Sequence, residues 1–256
     1  MPDDQPLDKP NSSPLPTLRE SVIIRWLIGL CLILHALNAL FTTPMLDLAT
    51  GQAIIDPATG KPVMTGLLTA MGNFNVIEGI NNNQFWRLIT YQFLHGNIWH
   101  LGMNMMALYI FGPLIEKWWG ARRFLAFYLL CGACGAWFMS LLAFFPDLIN
   151  GGAARMVGAS GSIFGVLVAS ALLYPRDEVK LVIPPMWVTV RKLALIFIGL
   201  SNVSMFIGFN VGGNATHVGG AVFGYLLVKR PWSLDIFDRK APPLDPPGSE
   251  PESDQS

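Results

Sequence analysis

Apolar residues in this chain are grouped in six long runs, and none of the runs shows the alternation with a period of two that is typical of a β-strand. A helix needs about 20 residues to cross the hydrocarbon core of a bilayer, so runs of this kind predict membrane-spanning helices. The predicted spans cover residues 22–42, 97–116, 124–145, 160–174, 190–209 and 215–229. The fourth and sixth are short, so we expect them to end partway through the membrane, behind other helices or beside a water-filled cavity.

Composition supports a membrane protein and argues against a soluble one. Apolar residues make up 52% of the chain and charged residues only 13%, whereas soluble domains carry about 25% charged residues. The mean hydropathy is +0.44. The formal net charge is zero, and no basic cluster interleaved with aromatic residues indicates a nucleic-acid partner.

The basic residues predict the topology. Six spans put both termini on the same side of the membrane, and 14 of the 17 Lys and Arg residues then fall on that side. Since cytoplasmic segments are enriched in Lys and Arg, both termini are expected in the cytoplasm. The three basic residues on the outer side are Lys61, Arg87 and Arg155.

The predicted domain organisation is a single core between two tails. Residues 1–20 and 231–256 are polar and rich in proline, which predicts disordered cytoplasmic tails around a six-span core over 21–230. Residues 43–96 form an unusually long outer loop, whose apolar patches predict a position in the membrane interface. There we expect Trp86 to sit at headgroup depth and Arg87 to snorkel towards water. No internal repeat is expected, which argues against an inverted-repeat transporter.

The cysteines give little indication of chemistry. Cys131 and Cys134 form a CxxC pair, a spacing found in redox and zinc sites. The pair lies inside an uncharged apolar run without a second ligand pair, so we interpret both as small residues that pack in a membrane helix.

Polar residues inside predicted spans are costly and commonly mark function. The first group is His95, His100 and Asn104, in the segment HGNIWHLGMN. His100 and Asn104 are four residues apart, so they share one face of a helix and both can donate hydrogen bonds to the bundle interior. The alternatives are hydrogen bonds between helices, which are common in membranes, and a metal site, for which no further ligand lies at suitable spacing.

A second group surrounds Ser160 at the start of the fourth span. In GASG the serine lies between small residues at a predicted helix N-terminus, where free backbone N–H groups and the helix dipole favour negative charge. This arrangement would stabilise an oxyanion. The alternative is a packing motif, because Gly161 and Gly165 also form GxxxG.

The third group is His217 with Gly220 and Gly224, in HVGGAVFG. On a helix these three residues lie near one face, which would allow close contact with the Gly161 and Gly165 face of the fourth span. Such contact would bring the His217 imidazole to the Ser160 hydroxyl, as a nucleophile requires. The alternative is a lone buried histidine with a hydrogen-bond partner.

Taken in order, these segments resemble the rhomboid family of intramembrane proteases. HGNIWHLGMN is similar to the family's HxxxxHxxxN segment, GASGSIFG to its GxSG and HVGGAVFG to its HxxGxxxG. Trp86 and Arg87 resemble its tryptophan–arginine motif, and Glu116 falls where the family has a glutamate at the cytoplasmic end of the second span. The resemblance covers residues 22–230. It implies an all-α polytopic membrane protein, a bundle of six transmembrane helices, and resembles the simpler arrangement of bacterial inner-membrane members.

The resemblance also implies an activity: a serine endopeptidase that cleaves the transmembrane segments of membrane-protein substrates in the lipid bilayer, with no cofactor, metal or nucleic acid. Ser160 is the implied nucleophile and His217 the implied base, in a dyad without an acidic third member. The Ser160 backbone N–H and the side chains of His100 and Asn104 are the implied oxyanion hole. The implied role of the other motif residues is structure and helix packing: Trp86, Arg87, His95, Glu116, Gly158, Gly161, Phe164, Gly165, Gly220 and Gly224. Phe164 is expected to pack on the ring of His217.

Two other functions remain open from the sequence. One is a catalytically inactive relative that binds membrane proteins, whose hallmark would be loss of the serine or the histidine; both are present. The other is a channel or transporter, which would need polar residues along a path through both halves of the membrane. Here the polar residues cluster toward the outer half, with Glu116 and the basic residues at the inner end.

Overall fold

The computed structural model describes residues 17–145, 154–181, 186–206 and 211–239. Six long helices dominate these residues: α1 Val22–Leu40, α4 Ile98–Trp119, α5 Ala121–Leu142, α6 Ser160–Leu173, α7 Val190–Phe206 and α8 Val211–Lys229. Two short helices, α2 Leu67–Gly72 and α3 Arg87–Thr90, lie in the long loop between α1 and α4. Short strands form two antiparallel pairs: β1 Thr42–Pro44 with β2 Met64–Gly66, and β3 Glu178–Leu181 with β4 Met186–Thr189.

Each predicted span corresponds to one of the six long helices. α1, α4 and α5 are long and apolar enough to cross a membrane by length and composition, and α6, at 14 residues, is as short as the sequence predicts. The sixth span was predicted to be short, and this is wrong, because α8 is 19 residues long. Its first turn is Val211-Gly-Gly-Asn, which is too poor in apolar residues to be recognised by hydropathy.

The centre of the bundle consists of α5, α6 and α8, with α4 packed against α6 and α1 against α4. Large side chains fill the interior between these helices, among them Phe111, Phe127 and Tyr128, each fully buried. The outer surface is apolar as well: Trp26 and Leu40 of α1 are 73% and 74% exposed. An apolar surface on a helical bundle matches contact with lipid rather than with water.

Consecutive long helices run in opposite directions, so the bundle has two distinct ends. The terminal end carries the start of α1 and the end of α8, and the loop end carries residues 41–96. At the terminal end, the Glu116 carboxylate of α4 accepts hydrogen bonds from the backbone N–H groups of Ile23 and Ile24, at 2.9 and 3.1 Å. Glu116 therefore caps the free N–H groups at the start of α1.

Residues 45–64 form a small knob at the loop end, and the knob contains a tandem repeat. The nine-residue unit LDLATGQAI recurs as IDPATGKPV, so the expectation of no repeat is wrong at this short scale. Met45, which precedes the first unit, joins Ile54 and Val63, the last residues of the two units, in a ring of three backbone hydrogen bonds of 2.8 Å.

The two units of the knob make the same turn. In the first, Asp47 Oδ1 accepts the N–H groups of Ala49 and Thr50; in the second, Asp56 accepts the N–H of Ala58 and the hydroxyl of Thr59. A glycine with positive φ follows each threonine. Asp and Gly are the residues that stabilise such turns, so the repeat encodes a local fold rather than a repeated set of spans.

Arg87 does not snorkel towards water, in contrast to the expectation from sequence. Its side chain is buried, and its guanidinium donates to the carbonyl oxygens of Asn73, at 2.7 Å, and Ala70, at 3.3 Å. It also lies 3.3 Å from the Glu78 carboxylate. The two carbonyls end α2 and have no partner within that helix, which makes them acceptors for a cation. Trp86 is 56% exposed, as expected for an interfacial residue.

Ordered structure continues beyond both predicted core boundaries. A 3₁₀ turn at Leu18–Glu20 precedes α1, and another at Pro231–Phe237 follows α8. Pro231 and Leu234 are buried, so the second turn is packed against the bundle rather than being tail. The remaining residues of the two predicted disordered tails, 1–16 and 240–256, lie outside the described residues.

Candidate active site

The candidate nucleophile Ser160 is the first residue of α6. The strand-like segment before it is held by the outer loop: Phe74 and Met156 exchange two backbone hydrogen bonds of 2.9 and 2.7 Å, and the Gly158 N–H donates to the Tyr91 carbonyl at 2.9 Å. Gly158 has a φ of +127°, which a side chain rarely allows. The chain can therefore turn sharply into α6, and Ser160 lies half-buried at its N-terminus.

The candidate base His217 contacts this serine. Its Nε2 atom lies 2.7 Å from Ser160 Oγ, which is hydrogen-bonding distance. Phe164, one turn after Ser160, stacks on the His217 ring with the centroids 4.3 Å apart and the planes 9° from parallel. The stack fixes the plane of the imidazole while Nε2 points at the hydroxyl.

Glycines at the contact of α6 and α8 make this approach possible. A Cβ atom on Gly224 would lie 2.6 Å from the Cα of Gly165, and one on Gly220 would collide with the Gly161 carbonyl. The two faces that the sequence predicts to meet are thus in backbone contact. Cβ atoms at these positions would separate the two helices.

His100 and Asn104 of α4 lie against the backbone that precedes Ser160. A Cβ built on Gly158 would lie 2.6 Å from the His100 ring and 3.5 Å from Asn104 Nδ2. The Asn104 side chain is 7% exposed, and its Nδ2 has no hydrogen-bond partner among the described residues. A buried donor without a partner is costly and is therefore available to a ligand.

His95 packs behind His100. The two rings meet edge to face with centroids 5.3 Å apart, and His95 is 2% exposed. Burial, with a smaller contribution from the neighbouring His100, lowers the pKa of His95 from its usual 6.5 to about 3. His95 is therefore neutral at physiological pH and supports the orientation of His100.

Several residues that hold the site were not singled out from the sequence. Tyr91 donates its hydroxyl to the Gly132 carbonyl of α5 at 2.7 Å, and Ser162 donates to Gln92 Oε1 at 2.9 Å. These bonds fasten the outer loop to α5 and α6. The sequence does contain a signal for these residues, because polar side chains stand in otherwise apolar surroundings. They are the Tyr-Gln pair before the His95 segment and a second serine two residues after Ser160.

Cys131 of the CxxC pair has the packing role expected from sequence. Cys131 and Cys134 are free thiols, and a Cβ on Gly165 would lie 2.5 Å from Cys131 Sγ. Elsewhere in the part of the chain that the structure describes, no group of three or more His, Cys, Asp or Glu side chains is arranged to hold a metal ion.

The structure thus gathers some predicted site residues and separates others. His217 contacts both Ser160 and Phe164, and His100 and Asn104 lie beside Gly158, two residues before Ser160. Glu116 lies at the opposite end of the bundle, and Trp86 and Arg87 belong to the outer loop.

Comparison with known proteins agrees with the motifs in this site. The Rhomboid domain family model matches residues 82–230, which is more than half of the chain. The chain is 29% identical over 198 residues to RHOMBOID-like protein 4 of Arabidopsis thaliana, covering 75% of this chain and 46% of that protein. It is 32% identical over 154 residues to the rhomboid protease GluP of Bacillus subtilis, covering 57% and 26%.

A third relative is the rhomboid protease AarA of Providencia stuartii, 27% identical over 163 residues, with 60% of this chain and 58% of that protein covered. The aligned region thus spans between about a quarter and three fifths of the length of these three relatives.

Proposed function

The chain belongs to the rhomboid family, and from that premise we propose that it is an intramembrane serine endopeptidase that hydrolyses peptide bonds in the transmembrane segments of other membrane proteins. The single observation that carries this proposal is the 2.7 Å contact between His217 Nε2 and Ser160 Oγ at the N-terminus of α6. Two relatives whose names include the word protease, GluP and AarA, support the same class of reaction.

The proposed chemistry follows from the contact. Ser160 Oγ attacks the carbonyl carbon of the scissile bond while His217 Nε2 accepts its proton. The imidazolium then gives this proton to the leaving amine. The amine departs, and the acyl group remains bound to Ser160 as an ester. Water attacks the ester with His217 again as base, and Ser160 regains its proton. The Phe164 stack keeps the ring in the plane that both transfers require.

Stabilisation of the oxyanion is assigned to donors around Gly158. The Ser160 N–H lies at a helix N-terminus, where backbone donors and the helix dipole favour negative charge. The Nδ2 of Asn104, which has no hydrogen-bond partner within the described ranges, and the ring of His100 lie beside the same segment. Each such donor commonly contributes about 10²–10³ in rate to acyl transfer.

The proposed substrate is a membrane helix, because the site lies in a bundle whose outer surface is apolar. Its scissile carbonyl must leave the helical hydrogen-bond pattern to reach Ser160, so spans with Gly or Pro near the cut are favoured. We place the termini in the cytoplasm of a bacterial inner membrane, because 14 of the 17 basic residues fall on the terminal side.

A fluorogenic membrane-helix substrate tests the activity in detergent and in liposomes. Ser160→Ala and His217→Ala are each expected to lower the rate by on the order of 10³-fold or more, because nucleophile and base act as a unit. Ser170→Ala is the matched control: it makes the same change in a buried serine of the same helix and leaves the rate unchanged. Full cleavage by the Ser160→Ala variant would overturn the assignment of Ser160 as the nucleophile.

A serine-directed covalent probe separates a protease from an inactive relative that only binds membrane proteins. Probe labelling at Ser160 that is lost in His217→Ala is expected of the protease. If substrate helices bind to the wild-type chain while neither cleavage nor labelling occurs, the binding function is the correct one.

A further inference from the structure

The turn that follows the last span presents an apolar face away from the bundle. This C-terminal turn, Pro231–Phe237, lies just outside residues 82–230 of the family match. Pro231 and Leu234 point inward and are buried, whereas Trp232, Ile236 and Phe237 are 51%, 63% and 42% exposed. A surface patch of three large apolar residues next to a span marks an interaction site.

Ion pairs attach the turn rigidly to the bundle. Asp235 lies 2.9 Å from the guanidinium of Arg123, which is buried in the first turn of α5, and Asp238 lies 3.7 Å from that of Arg122. Two arginines at a helix N-terminus oppose the helix dipole, and the two aspartates compensate for this. The pair of the buried Arg123 with Asp235 therefore supports the orientation of the apolar face.

The surroundings of the turn are basic. Lys229 and Arg230 precede it and Arg239 follows it, and all three are exposed. With Arg122 and Arg123 there are five basic residues against two acidic ones, Asp235 and Asp238, which leaves a net charge of +3. Both acidic groups face an arginine, so the charge that reaches outward is positive.

We propose that the C-terminal turn lies in the headgroup layer of the leaflet at the terminal end and binds anionic phospholipids there. Since α8 ends at Lys229, the next residues emerge at headgroup depth. Trp at this depth anchors a protein in the interface, and the apolar face can enter the acyl boundary. Basic residues beside it attract the negative charge of anionic lipids. Trp118, 48% exposed at the terminal end of α4, adds a second aromatic at this level.

The test uses the full chain in nanodiscs, in a Ser160→Ala background so that cleavage plays no part in the readout. Ser233, exposed on the same turn, is changed to Cys and labelled with an environment-sensitive fluorophore. The chain without Ser233→Cys is treated in the same way, and its fluorescence measures the background labelling of Cys31, Cys131 and Cys134. Nanodiscs contain phosphatidylcholine alone or with increasing phosphatidylglycerol.

With phosphatidylglycerol we expect the emission to shift to shorter wavelength, quenching by spin-labelled lipid to rise at least two-fold, and quenching by aqueous iodide to fall. Arg230→Gln should raise the half-saturating fraction of phosphatidylglycerol several-fold, because each basic residue near a charged surface contributes about a five-fold preference. Lys61→Gln removes one exposed charge at the loop end and leaves the titration unchanged.

Three outcomes would overturn the proposal. The first is iodide quenching that is equal at all lipid compositions, which means that the turn lies in water. The second is a titration that does not depend on anionic lipid or that Lys61→Gln alters as much as Arg230→Gln. The third is protection of the label that rises with the number of chains per nanodisc and not with the fraction of phosphatidylglycerol, which means that a second copy of the chain covers the face. Trp232→Ala with Phe237→Ala serves as a second variant, and it should lower the spin-label quenching while the ion pairs of the turn persist.

Discussion

At the scale of single residues, Gly158 decides whether the candidate oxyanion donors can approach the backbone before Ser160. Its φ of +127° is strained for any other residue, and the His100 ring occupies the place of its missing side chain. The glycine therefore has two separate reasons to be there, one conformational and one steric.

Gly158→Ala is predicted to abolish most of the activity in a folded protein. Displacing a donor from an oxyanion costs on the order of 10²–10³ in rate, and the strained backbone costs about 1–3 kcal/mol of stability. Cleavage of the fluorogenic helix and thermal unfolding in detergent measure both effects. Gly102→Ala is the control, because Gly102 is on the same helix as His100 and the added methyl group would have no neighbour within 4 Å in the part of the chain that the structure describes. It is expected to keep both the rate and the stability near wild type.

His95 predicts a specific dependence of stability on pH. Its folded pKa of about 3 lies below the unfolded value of 6.5, so between these values the unfolded chain binds a proton that the folded chain does not. Stability is then highest above pH 6.5 and falls towards pH 3, by up to about 1.4 kcal/mol per pH unit for one such group.

The window from pH 6.5 to 5 separates this histidine from carboxylates, which titrate lower. Thermal unfolding of wild type and His95→Gln across the window measures the slope. The variant is expected to be less stable throughout but to lose stability less steeply, and an identical slope would show that His95 does not carry the effect.

At the scale of elements, the contact of α6 with α8 converts a sequence pattern into a catalytic distance. The helix faces Gly161/Gly165 and Gly220/Gly224 were predictable from spacing alone, because a helix repeats every three to four residues. A separate argument, the length of the apolar runs, gave the positions of the spans. It failed for the knob and for the start of α8, where turn chemistry and glycine, rather than hydrophobic periodicity, determine the structure.

Gly220→Ala is predicted to separate Ser160 from His217. The added methyl group would meet the Gly161 backbone, which cannot move without shifting α6, and overpacking of this kind costs about 1–3 kcal/mol. Cleavage and serine-probe labelling should fall together, and the unfolding temperature should drop. Gly199→Ala in α7, where no atom of the described residues lies within 4 Å of the added methyl group, is the matched helix control and is expected to change none of the three. Normal labelling of Gly220→Ala would mean that α8 tolerates the shift.

At the scale of the whole molecule, polar groups join elements that are far apart in sequence. Arg87 fastens the outer loop to itself, Tyr91 and Gln92 fasten it to α5 and α6, and Glu116 attaches α1. Motif position identified Glu116 and Arg87 as structural, but the sequence could not supply their partners. The partners of Glu116, and the carbonyl partners of Arg87, are backbone groups, which every residue has, so no side-chain pattern identifies them.

Glu116 carries the last prediction, because α1 begins without a side-chain cap of its own. The carboxylate accepts the N–H groups of Ile23 and Ile24, and each hydrogen bond to a charged acceptor contributes about 1.5–3 kcal/mol. Glu116→Ala leaves two donors unsatisfied and should lower the unfolding temperature and raise hydrogen exchange in the first turn of α1. Glu116→Gln keeps one acceptor oxygen and should recover part of the loss. Since Ser160 lies at the other end of the bundle, the remaining folded Glu116→Gln protein should label with the serine probe like wild type, which separates this role in stability from any role in catalysis. Equal exchange in all three proteins would show that α1 is held by its packing against α4 alone.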